Sequence, residues 1–182
     1  VTGIVDADAC LWQDVPMTVL HVMVGLTLWW QAGAVAAQPG AGWAGTWTGT
    51  LANYPVRGTP SVQVTREIGV FPTEVGACVP WKTTYTEPGK PPQSRAYQLC
   101  RGAGPNEFVI DEGGGVRLSA SWLGDVLVST FTYDTTLLTS VARVRGNVFE
   151  EEIFTAPVST STTGIHSLTT RTLQRLTLTR RE

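Results

Sequence analysis

Residues Glu107 to Thr155 read EFVIDEGGGVRLSASWLGDVLVSTFTYDTTLLTSVARVRGNVFEEEIFT, and this stretch decides the fold. Apolar and polar residues alternate along it with a period of two, the signature of half-buried strands. Val116, Leu118, Ala120 and Trp122 alternate with Arg117, Ser119 and Ser121. Leu127, Ser129, Phe131 and Tyr133 alternate with Val128, Thr130 and Thr132, and Phe149, Glu151 and Ile153 with Val148, Glu150, Glu152 and Phe154. Turn chemistry punctuates the runs at Gly113-Gly114-Gly115, Gly124-Asp125, Asp134-Thr135 and Gly146-Asn147. Strands that short, joined by turns that tight, form an antiparallel meander.

The same pattern extends in both directions. Strands are predicted at roughly 44–53, 61–70, 79–86, 94–102, 107–112, 115–123, 125–133, 136–145, 147–155 and 166–180. Residues 87–94 (EPGKPPQS) and 157–164 (PVSTSTTG) read as loops by composition. The last predicted strand is one long bent strand or two short ones. About ten short antiparallel strands leave a closed barrel or a two-sheet sandwich. The unbroken hairpins favour the barrel, which also removes exposed edges. The expected fold is an all-β, antiparallel up-and-down barrel of about eight to ten strands.

Upstream of it the sequence changes character. Met17 to Gln38, MTVLHVMVGLTLWWQAGAVAAQ, is uncharged and apolar and ends in small residues before Pro39 and Gly40. It reads as a secretory signal peptide. Cleavage is expected after Ala36 in the frame Ala34-Val35-Ala36, or after Ala37 in the frame Val35-Ala36-Ala37. The strongly apolar part, 19–30, is shorter than the ~20 residues of a spanning helix. Residues 1–16 read as an upstream extension translated from too early a start, 17–37 as the signal peptide, and 38–182 as one barrel domain. No membrane span is expected after processing, and an extracytoplasmic location, periplasmic or secreted, is.

The 13 Lys and Arg all lie beyond residue 38, whereas Asp6, Asp8 and Asp14 leave with the N-terminal part, so the exported form is near neutral. That balance excludes the dense basic face of a nucleic-acid binder. Of the three cysteines, Cys78 and Cys100 remain. An even pair in an oxidising compartment is expected to form one disulfide, and closing a loop of about 22 residues is worth roughly 3 kcal/mol.

Chemistry-bearing clusters are few. Glu150, Glu151 and Glu152 alternate faces on a strand, so at most two of them share a side; a solvated charged face is expected. Counting outward from Gly146-Asn147 puts Arg145 opposite Val148 and Arg143 opposite Glu150, and a cross-strand Arg143–Glu150 pair is predicted, with the inward-facing glutamate held by Arg143 or Arg145. Gly113-Gly114-Gly115 precedes a strand and is a turn, not a phosphate loop. Neither Ser129 nor Ser140 sits in a nucleophile elbow. No metal cluster, nucleophile set or cofactor fingerprint marks an enzyme. The aromatics Trp81, Tyr85, Tyr97, Trp122, Phe131 and Tyr133 fall where they can line a barrel interior. Interleaved Thr, Ser and Gln174 make that interior semi-polar.

Gly45-Thr46-Trp47-Thr48-Gly49 resembles the first-strand motif of the calycin superfamily, the lipocalins, fatty-acid-binding proteins, avidins and their relatives. The resemblance implies a barrel in which the G-x-W tryptophan, Trp47, closes one end beneath an arginine of the final strand, here Arg175 or Arg180. The longer stretch GTWTGTLANYP is similar to the start of nitrobindin-type haem-binding barrels, with Tyr54-Pro55 as their Tyr-Pro pair. That likeness implies haem as an alternative cofactor, with His166 as the iron ligand. The expected function is binding of a small, partly apolar molecule inside the barrel, with Trp81, Tyr97, Trp122, Phe131 and Tyr133 as its walls and no cofactor. A filled-core interaction module that presents exposed strands or the EPGKPPQS loop is the remaining alternative.

Overall fold

The computed structural model describes residues 38–56, 62–158, 165 and 167–182. The segments read as an upstream extension (1–16) and a signal peptide (17–37), and His166, lie outside the described residues. Ten strands follow one another: β1 (Gly45–Tyr54), β2 (Val62–Ile68), β3 (Cys78–Thr86), β4 (Gln93–Arg101), β5 (Glu107–Gly113), β6 (Val116–Leu123), β7 (Val126–Tyr133), β8 (Thr136–Arg145), β9 (Val148–Pro157) and β10 (Thr172–Arg180). Each pairs antiparallel with its sequence neighbours, and β1 pairs with β10 to close the barrel. The strand count is therefore ten. Of the described part of the predicted span 166–180, only Thr172–Arg180 pairs as strand.

The turns behave as their letters predict. Asp134 opens the β7–β8 turn with φ at 49°, a left-handed conformation that Asp tolerates through its short polar side chain. The Gly146-Asn147 turn sets the predicted register, with Arg145 opposite Val148 and Arg143 opposite Glu150.

Period-2 alternation sends one face of each strand inward. At the end where β1 begins and β10 finishes, that face forms the core. Trp47, Phe108, Phe149, Leu99, Leu176 and Leu178 are fully buried there. Trp43, in the turn before β1, folds under this end and plugs it. Its ring packs edge-on against Phe71, Trp122 and Phe149 with centroids 5.4, 5.2 and 5.5 Å away. Trp47 Nε1 donates to the Trp43 carbonyl at 2.8 Å, which ties the plug to the first strand.

Two arginines cap this aromatic floor. Arg180 lies over the Trp47 ring, its guanidinium carbon 4.3 Å from the centroid. It donates to the carbonyls of Ala44 and Gly42. Arg101 lies over Phe108 at 4.8 Å. Arg180 thus takes the place expected for a terminal-strand arginine. Arg175 does not. Its odd parity turns it outward, where it donates to Glu152 at 2.6 Å and lies over Tyr54.

Glycines in the first strand make this arrangement possible. A Cβ on Gly45 would lie 2.6 Å from Arg180 Nη1. One on Gly49 would lie 2.1 Å from the carbonyl oxygen of Thr177. The spacing Gly45, Trp47, Gly49 therefore removes side chains on either side of the tryptophan, where the last strand and its arginine press close. Cys78 and Cys100 stand opposite each other on β3 and β4 and are disulfide-bonded, which points to an oxidising compartment.

Candidate functional site

Toward the other end, where β1 finishes and β10 begins, side chains do not fill the barrel. A cavity of about 370 Å³ remains, within the ~300–1,000 Å³ range of small-molecule sites. All ten strands contribute to its wall, most from β3 and β4: Trp81, Thr83 and Tyr85, then Gln93, Arg95 and Tyr97. Leu51, Ile110, Leu118, Phe131, Leu138 and Ile153 add apolar surface, and Ser129, Ser140 and Gln174 add polar groups. The semi-polar interior expected from the interleaved Ser, Thr and Gln is present as geometry.

The floor is ionic. Arg66 Nη1 of β2 and Glu151 Oε2 of β9 meet at 2.7 Å, with side chains only 5% and 8% exposed. Arg66 Nε donates to Thr83 Oγ1 at 3.0 Å, and Ser140 Oγ donates to Glu151 Oε1 at 2.7 Å. The guanidinium lies 5.1 Å from the Trp81 centroid and 5.2 Å from that of Phe149. This pair stands on the aromatic core and faces the cavity above. Nη1 and Oε2 meet as an ion pair, and both atoms are fully buried.

The mouth repeats the theme. Arg95 and Glu112 both line it. The β5–β6 register slips between Asp111 and Gly113. Glu112 lies at that slip and keeps the inward parity of Phe108 and Ile110. Burial raises the pKa of the Tyr97 phenol, reinforced by Glu112 beside it and opposed by Arg95. Burial likewise raises that of Tyr85, with nearby Arg66 opposing. Both phenols therefore stay protonated at neutral pH and can donate as well as accept.

Three of the five expected wall aromatics, Trp81, Tyr97 and Phe131, come together on the cavity. Two do not. Trp122 has inward parity but sits at the closed end, its ring 5.2 Å from Trp43 and 5.8 Å from Phe71, and belongs to the core. Tyr133 has inward parity too, but it ends β7 beyond the rim and is 70% exposed. The glutamate triplet also resolves differently from expectation. Glu151 is the inward one, and its partner is Arg66, not Arg143 or Arg145. Although Arg143 stands opposite Glu150, its guanidinium reaches diagonally to Glu152 at 3.9 Å.

Arg66, Glu151, Arg95 and Glu112 were not expected to form the site. Parity carried a partial signal, since Arg66 shares the face of Val64 and Ile68, and Glu151 that of Phe149 and Ile153. Among the described residues no three His, Cys, Asp or Glu side chains group as a metal site. Both histidines of the chain, His21 and His166, lie outside the described residues.

A closed, ten-stranded, up-and-down antiparallel barrel with one open, charged-floored cavity is the class these features define. No family model matches the sequence, and no curated protein and no solved structure matches the chain at a significant level.

Proposed function

We propose that this barrel is an exported binding protein that holds one small, partly apolar molecule in its interior and performs no chemistry on it. The observation that carries the reading is the cavity itself. Half the barrel is packed to closure around Trp43, Trp47 and Phe149, while the other half leaves about 370 Å³ between aromatic walls. A fold that needed only stability could fill that space with larger side chains. Burial against Trp81, Tyr85, Tyr97 and Phe131 supplies affinity, and the few polar groups fix orientation. The disulfide supports an extracytoplasmic setting, periplasmic or secreted. The outer face carries Lys82–Glu67 and Arg175–Glu152 ion pairs, which supports a water-facing exterior.

Native mass spectrometry with an absorption spectrum, on protein exported by its own host, tests the reading. A retained small molecule, or a thermal shift with added apolar compounds, is the expected result. A clean ligand-free mass together with no shift across a broad compound panel overturns it in favour of a filled-core interaction module.

A further inference from the structure

The formal charges that line the cavity sum to zero: Arg66 and Glu151 are ion-paired on the floor, and Arg95 and Glu112 both stand at the mouth. The remaining polar lining is neutral and two-sided. The Ser and Thr hydroxyls, the Gln93 and Gln174 amides and the tyrosine phenols each donate and accept. We infer that the cognate ligand is uncharged and presents a hydrogen-bond donor and acceptor side by side, as a primary carboxamide or a lactam does. This rests on the reading that the cavity binds a small molecule at all.

The reasoning is electrostatic. A carboxylate entering the cavity would gain from Arg66 but repel Glu151, which touches that same guanidinium at 2.7 Å. An ammonium would meet the reverse. Either would surrender its hydration in a region whose net formal charge is zero, and a buried charge without a partner of its own is strongly disfavoured. An amide gives up less hydration. Its N–H₂ and C=O also match the neutral hydroxyls, side-chain amides and phenols of the wall, which donate and accept in turn. The aromatic walls then take an apolar or aromatic body.

The test uses three probes with one aromatic body: indole-3-acetamide, indole-3-acetate and tryptamine, titrated calorimetrically into the disulfide-bonded barrel at pH 7. The amide is expected to bind at least tenfold tighter than either charged analogue. Glu151→Gln leaves the floor positive and is expected to reverse the order so that the acetate binds tightest. Glu112→Gln, at the half-buried mouth, keeps the core intact and is expected to shift preference toward the acetate by a smaller factor; it serves if Glu151→Gln does not fold. A wild-type preference for acetate or tryptamine, or an order unchanged in the variants, overturns the inference while leaving the binding reading in place. No binding by any of the three, with no response to the broad compound panel, overturns both.

Discussion

At the scale of single residues, the Arg66–Glu151 pair is the costliest feature inside the barrel. Two charges have been taken out of water, and their mutual attraction offsets that cost only while both are present. Removing one should therefore hurt more than removing both. Arg66→Met or Glu151→Gln is expected to lower stability by about 3–5 kcal/mol, and the double replacement Arg66→Met with Glu151→Leu to recover most of it; urea melts of the four proteins check this. Alkaline sensitivity is the second residue-level consequence. Burial raises the pKa of Tyr85 above its ordinary 10.0, so above pH 10 the unfolded chain releases a proton that the folded chain still holds. Stability is then complete below pH 10 and falls as pH climbs from 10 through the raised value. Tyr85→Phe should flatten that decline in melts recorded between pH 8 and 11. Neither feature was legible beforehand beyond its parity. Alternation states that residue 66 and residue 151 point inward, but no local spacing encodes a partnership between strands β2 and β9.

Elements were the legible level. Nine of the predicted strands lie close to their observed bounds, because turn letters and a period of two are both local signals and a hairpin is a local object. The failures were equally physical. Trp43 and Phe71 lie outside strands, so no periodicity marks them as core, yet they plug the closed end. The last predicted strand ran too long because Thr, Ser and Leu composition does not distinguish a paired strand from an extended connection. Two elements carry predictions. The β1–β10 contact has no room at Gly49, where an added methyl would meet backbone at 2.1 Å, and backbone cannot step aside as a side chain can. Gly49→Ala is expected to cost about 1–3 kcal/mol, whereas Gly89→Ala, which meets nothing within 4 Å, should feel only the strain of its own backbone; thermal melts of both separate crowding from conformation. The β3–β4 disulfide closes a 22-residue separation, and replacing both cysteines by serine should remove roughly 3 kcal/mol, or about 10 °C of melting temperature.

For the molecule as a whole, the division into a packed half and a hollow half places its reporters unevenly. Trp43, Trp47 and Trp122 belong to the packed end, and Trp81 alone of the described tryptophans also lines the cavity. A bound molecule should therefore alter fluorescence through Trp81, and Trp81→Phe is expected to abolish most of the response to indole-free ligands while the emission of the remaining tryptophans stays that of a buried set. The pairing of β1 with β10 has one more consequence. Every other neighbouring pair of strands is consecutive in sequence, whereas this one brings Trp47 to Arg180. The barrel is in effect a ribbon that zips along its length and is then laced by a single stitch. Until the last nine-residue strand arrives, both margins of the ribbon offer raw backbone to any other ribbon nearby. Clipping that strand would leave nine-tenths of the sheet in place, ready to pair with its own copies.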